Sequence, residues 1–111
     1  MDLNAFYEAE FDQHQSALDT TREALMEPFS RLISICAEAI RTGNKLVLCG
    51  NGGSAADCQH IATELIVRYI SDRDPIRAMA LTTDTSALTA IANDWSFDDL
   101  FARQVEALCR P

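Results

Sequence analysis

A chain of 111 residues, 48% of them hydrophobic, has room for one domain and enough apolar side chains to bury a core, which excludes a disordered or fibrous protein. Its net charge of −8, with nine Lys and Arg scattered among 17 Asp and Glu, argues against a nucleic-acid surface, because phosphate backbones need clustered cations. No apolar run approaches the roughly 20 residues that cross a bilayer, and Met1-Asp2-Leu3-Asn4 opens no basic or apolar leader. Cys36, Cys49, Cys58 and Cys109 form no C-x-x-C pair, so the expectation is a cytoplasmic protein with reduced thiols and no membrane partner.

Residues 3 to about 26 predict one long helix. Tyr7, Phe11, His14, Leu18, Thr21 and Leu25 recur at steps of four and three, a period near 3.5 that favours packing against another helix, for which a second subunit is one source. Pro28 suits the first turn of a second helix, whose apolar face would be Phe29, Leu32, Ile33, Cys36 and Ile40. Gly43 with Asn44 ends it. The apolar run from Lys45 to Cys49 predicts a strand covered on both faces. A glycine-rich turn and a helix over 54–70 follow.

Asp72-Arg73-Asp74-Pro75 is a polar break before a second strand over 76–82. Asp84 or Ser86 caps a short helix through Ile91, and Asn93-Asp94-Trp95 interrupts the pattern. Ser96-Phe97-Asp98-Asp99 reads as a capping box for a last helix with Phe101, Val105 and Leu108 on its apolar face. The order helix, helix, β, α, β, α, α predicts a three-layer α/β/α domain with a parallel sheet. Two strands make a poor sheet, so the expectation is an N-terminal portion of a longer protein.

The chemistry concentrates between Gly50 and Arg68. Gly52 and Gly53 permit positive φ and close backbone approach, and Ser54 is a good N-cap with a hydroxyl to offer an anion. The turn is open to three readings: a structural tight turn, a phosphate or sugar-phosphate cradle, or a dinucleotide loop. Gly50-x-Gly52-x-x-Ala55 meets a relaxed dinucleotide pattern, yet Asp84 lies beyond the acid expected about 20 residues on. On the helix, Asp57, His60, Glu64 and Arg68 form one polar stripe, opposite Ile61, Leu65 and Ile66. Spacing alone leaves that stripe a solvated face with a Glu64–Arg68 pair, or a His–Glu site for a metal or a proton. Two ligands are too few to define zinc.

These residues together carry a family resemblance. Cys49-Gly50-Asn51-Gly52-Gly53-Ser54-Ala55-Ala56-Asp57, Gln59-His60, Glu64-Leu65 and Arg68-Tyr69 resemble the sedoheptulose-7-phosphate (phosphoheptose) isomerases of the SIS sugar-isomerase fold group. The run from Ala80 to Ile91, then Asn93-Asp94, Phe97 and Phe101-x-x-Gln104-Val105-x-Ala107-Leu108, continues the likeness. It spans essentially the whole chain and is densest over 45–108.

The resemblance implies a SIS, flavodoxin-like fold in which residues 1–43 serve oligomerisation and 44–111 are the first half of the sugar-phosphate-binding core. Asn51, Gly52, Gly53, Ser54, Asn93 and Asp94 would contact substrate, with Arg68 near the phosphate. His60 and Glu64 would be two zinc ligands, and Glu64 would also transfer the proton. The implied reaction converts sedoheptulose 7-phosphate to D-glycero-D-manno-heptose 7-phosphate through an enediol, toward the heptose of lipopolysaccharide, in a homotetramer. The family's Ser/Thr-rich phosphate loop and its glutamine and histidine metal ligands are expected beyond Pro111, so 1–111 alone would be inactive. The alternative is a non-enzymatic SIS-domain relative that associates with the bacterial replication initiator.

Overall fold

The computed structural model describes residues 1–110. Two compact units divide it, Met1–Glu38 and Ala39–Pro111, with the boundary inside the second helix.

In the first unit, α1 runs Leu3–Ala24 and α2 starts at Met26. Asp2 caps α1, its Oδ1 accepting from the Asn4 and Ala5 amides at 3.0 and 3.2 Å. The junction follows from Pro28. A proline lacks the N–H that would bond the carbonyl of Ala24, so the helix breaks there and resumes one residue on. The first helix is therefore shorter than the periodicity predicts. None of its residues is buried: Phe6, Tyr7, Phe11 and Leu18 are exposed, as are Leu25 at the break and Phe29, Leu32 and Ile33 of α2. The Tyr7 and Phe11 rings lie 4.6 Å apart, which is the local expression of the apolar stripe.

The second unit opens where α2 closes at Arg41. The Gly43 N–H reaches the Ile40 carbonyl at 3.0 Å and the Asn44 N–H the Ala39 carbonyl at 2.8 Å. This is a Schellman motif, and Gly43 supplies its left-handed residue with φ 81°. Strand β1 (Leu46–Leu48) and strand β2 (Ala78–Ala80) pair in parallel with Leu46 opposite Ala78 and Leu48 opposite Ala80. Between them lies α3, Gly53–Ile66, which packs on the sheet. After β2 come α4 (Thr85–Asp94), a 3-10 turn (Phe97–Asp99) and α5 (Ala102–Leu108).

The core is small: Cys58, Ala62, Leu81, Ile91 and Leu100, with Thr82 and Gln104 as its polar members. Several expectations shift accordingly. The buried side of α3 is Cys58 and Ala62, while Ile61 and Ile66 are exposed, because small side chains let a helix sit close on a sheet. Strand β1 is half-buried rather than covered on both faces, and Val47 and Met79 line an open cavity of about 1040 Å³. The buried residue of α5 is Gln104, with Val105 and Leu108 exposed. Ser96 caps the 3-10 turn by accepting from the Asp98 amide at 3.1 Å; it does not open α5. Cationic side chains close two helix ends here, Lys45 on the Leu108 carbonyl (2.5 Å) and Arg77 on the Gly43 carbonyl (2.8 Å).

Candidate active site at the carboxyl ends of the strands

In parallel sheets ligands bind beyond the carboxyl ends of the strands, and here the glycine turn leaves β1 at that end. Its three glycines answer to three different demands. Gly50 is required by space: a Cβ there would stand 2.8 Å from Ser54 Cβ and 3.0 Å from the Ser54 carbonyl carbon and oxygen. Gly52 is required by backbone, with φ 57° and ψ −125°. With the Ser54 N–H bonded to the Asn51 carbonyl at 3.1 Å, Asn51–Ser54 is a type II′ turn with glycine at its first central position. Gly53 has ordinary φ, and a Cβ on it would meet no atom within 4 Å. Nothing inside the chain demands a glycine at that point, whereas a ligand resting on the turn would.

Two expectations about the turn are corrected. Only Gly52, and not Gly53, uses positive φ. The N-cap of α3 is Gly52, so Ser54 lies inside the first turn and its side chain makes no cap bond. The Ser54 and Ala55 amides are spent on the Asn51 and Gly52 carbonyls, both at 3.1 Å. That removes two of the donors an anion cradle would use and leaves the turn better suited to line a sugar than to grip a phosphate.

Two turns along α3, His60 Nε2 lies 3.3 Å from Glu64 Oε1. The imidazole is 74% exposed and the carboxylate 32%. Gly53, Asp57, His60 and Glu64 follow one another at steps of four, three and four, so pair and turn share a face of the helix. A nitrogen and a carboxylate oxygen are donor types that zinc takes, and the pair fits half of a four-coordinate site. Among the described residues no third His, Cys, Asp or Glu joins them.

Arg68 departs from the expected stripe. The helix ends at Ile66, where Arg73 closes it by donating to the Glu64 and Leu65 carbonyls at 2.5 and 2.8 Å. Arg68 lies beyond that end and pairs with Asp72 at 2.6 Å, while Glu64 turns to His60 instead. Asn93 and Asp94 stand on the last turn of α4, not in the break that follows it; the break comes at Trp95. Asn93 Nδ2 donates to Asp94 Oδ1 at 2.8 Å, and α4 packs against the 3-10 turn. Among the described residues no hydrogen bond or ion pair links Asn93 or Asp94 to Asn51, His60 or Glu64. The chain therefore sets the glycine turn and the His60–Glu64 pair along one face of α3, while Asn93 and Asp94 are carried by α4.

Periodicity carries no sign of the side-chain bonds from Gln59 to Thr82 and from Gln104 to the Leu81 carbonyl. The signal available was an amide beside the apolar positions of α5, within Phe101-x-x-Gln104. The stacking of the Arg103 guanidinium on the Trp95 ring, 3.8 Å from its centroid, also escaped it.

The model of the SIS domain matches residues 10–111. The chain belongs to the SIS domain family. It is 48% identical over 111 residues to a phosphoheptose isomerase of Paramagnetospirillum magneticum, covering all of this chain and 58% of that protein. A phosphoheptose isomerase of Aquifex aeolicus is 61% identical over 77 residues, 69% of this chain and 40% of that one. Among solved structures, the phosphoheptose isomerase of Neisseria gonorrhoeae superposes with a TM-score of 0.88 at 41% identity, over 97% of this chain and 55% of the other. That of Francisella tularensis gives 0.91 at 30% identity, over 97% and 56%. The chain spans about half the length of the curated relatives it matches.

Proposed function

We propose that the full-length protein is a phosphoheptose isomerase, interconverting sedoheptulose 7-phosphate and D-glycero-D-manno-heptose 7-phosphate. The observation that carries this reading is the His60–Glu64 pair on one face of α3, in line with a glycine turn whose Gly53 faces open space. The names of the relatives support it. Glu64 takes a proton from C1 of the open-chain ketose while the C2 carbonyl oxygen gains one, giving the C1–C2 enediol; the same carboxylate returns its proton to C2 while the C1 hydroxyl gives up its own, leaving an aldehyde at C1 and a hydroxyl at C2. A base held beside two carbons in turn needs a fixed substrate, and Asn51, Gly52, Gly53 and Ser54 would line the sugar, with Asn93 and Asp94 as further hydroxyl partners and Arg68 toward the phosphate. His60 and Glu64 would hold zinc with ligands from the rest of the protein, and the bound ion would stabilise negative charge developing on the substrate oxygen.

The same reading includes self-association as a homotetramer, supported by the exposed apolar stripes of α1 and α2. It also includes a cytoplasmic place in lipopolysaccharide precursor synthesis. No helix among the described residues is long and apolar enough to cross a membrane.

The test is turnover of sedoheptulose 7-phosphate by the purified full-length protein. Glu64→Gln should lower kcat by about 10²-fold or more with folding retained. His60→Ala should lower bound zinc and turnover together. A folded wild-type protein with no turnover, or a Glu64→Gln variant of full activity, would sink the proposal.

A further inference from the structure

Where β2 ends, the ladder to β1 runs out of partners. The Leu81 N–H still reaches the Leu48 carbonyl at 2.9 Å, but β1 has already turned off into the glycine loop. The Leu81 carbonyl is taken instead by a side chain, Gln104 Nε2 of α5, at 3.2 Å, and the second proton of that amide goes to the Leu100 carbonyl at 3.0 Å. Gln104 is 8% exposed and Leu81 2%. A polar amide in so small a core is costly unless both its protons are used, as they are here.

The next residue is held from the opposite side. Thr82, 9% exposed, receives Gln59 Nε2 of α3 on both its carbonyl (3.2 Å) and its hydroxyl (3.1 Å). Its own hydroxyl donates to the Ala55 carbonyl of α3 at 3.4 Å. Ala55 belongs to the first turn of the helix that the glycine loop opens, and Gln59 immediately precedes His60. The segment leaving β2 is thus tied by side chains to α5 behind it and to the site-bearing helix in front.

We propose that Gln104 is a positioning residue. Its buried carboxamide replaces the missing rung of the sheet at Leu81 and sets where the β2–α4 segment stands relative to α3, with Gln59 and Thr82 as the outer tie. The consequence concerns the cleft. The loops after β1 and β2 form adjacent walls at the carboxyl ends of the two strands, and misplacing one by about 1 Å can cost about 10²-fold in rate. The kinetic part rests on the isomerase reading; the structural part does not.

The experiment uses the full-length protein and Gln104→Met, which keeps length and volume and removes both donors. Amide exchange at Thr82, Thr83 and Asp84 should quicken by about tenfold or more, with exchange in α1 unchanged. In samples whose circular dichroism shows full folding at the assay temperature, kcat/KM for sedoheptulose 7-phosphate should fall by about tenfold or more. A merely structural role would lower the melting temperature and leave kcat/KM of the folded protein untouched; that result overturns the proposal. If Gln104→Met does not fold, Gln59→Leu at the exposed end of the outer tie takes its place. It should move exchange and kinetics the same way by a smaller factor, and no change in either would overturn the proposal. If the wild type itself shows no isomerase turnover, the reaction assignment falls and the exchange measurement alone decides the positioning role.

Discussion

The turns that follow β1 and β2 leave neighbouring parallel strands at the same end, yet they are shaped by opposite means. The first is made by backbone: three glycines in four residues, a type II′ turn at Asn51–Ser54, and a helix whose N-cap carries no side-chain bond. The second contains no glycine and is made by side chains, with Gln104, Gln59 and Thr82 tying the chain and Asp84 capping α4 through the Ala87 amide at 2.9 Å. A glycine turn leaves its backbone bare and approachable, which suits a surface meant for a ligand. A turn whose first two residues, Leu81 and Thr82, are buried and tied by side-chain amides has its position set by its neighbours, which suits the adjacent wall.

That contrast can be broken by substitution, beginning at Gly52. An alanine there must adopt φ 57° and ψ −125°, so Gly52→Ala should lower stability by about 2 kcal/mol in urea titration. A fall below about 0.5 kcal/mol would mean that the turn relaxes to another type. Gly50→Ala tests space rather than backbone. With Ser54 Cβ at 2.8 Å, the loss should be about 1–2 kcal/mol, and a crystal structure of the variant should show the first turn of α3 displaced.

At the second turn, Asp84→Ala removes one cap bond and should cost about 1 kcal/mol, with Asp84→Asn recovering most of it in thermal melts. The smallest effect on stability is expected at Gly53 and has the opposite sign. Gly53→Ala should be neutral or stabilising by a few tenths of a kcal/mol, since its Cβ meets nothing and alanine favours helix. The same variant should raise KM for the sugar phosphate severalfold if the turn is a wall of the site. An unchanged KM would return Gly53 to a purely structural account.

Legibility in the sequence tracked how local the cause was. The Schellman end at Gly43–Asn44, the proline in the first turn of α2 and the cap at Asp84 are decided within a few residues, and composition revealed them. The end of α3 was misjudged because nothing between Ile66 and Ile70 breaks a helix locally. The guanidinium of Arg73, seven residues on, takes the Glu64 and Leu65 carbonyls at that end, and Arg68 lies past it, paired with Asp72. The face of α3 was misjudged for a related reason: hydropathy favours Ile61 and Ile66, whereas the distance between helix and sheet favours Cys58 and Ala62.

The first unit presents the plainest case of a pattern without an internal partner. Its heptad-like apolar stripe made the helices certain, and the same residues stay exposed in this chain. Periodicity states that a face is apolar; it does not state what covers it.

What the sequence by itself determined is the family, from motifs along the chain, and the succession of elements, the place of the glycine turn and the i, i+4 spacing of His60 and Glu64, because these rest on residues a helical turn or two apart. Only the tertiary structure decided that Gly50, Gly52 and Gly53 serve space, backbone and an open surface respectively. It alone placed Gln104 in the core at the end of β2. The Gln59–Thr82 and Gln104–Leu81 bonds each join residues 23 positions apart, and no local periodicity records where a folded chain will meet itself.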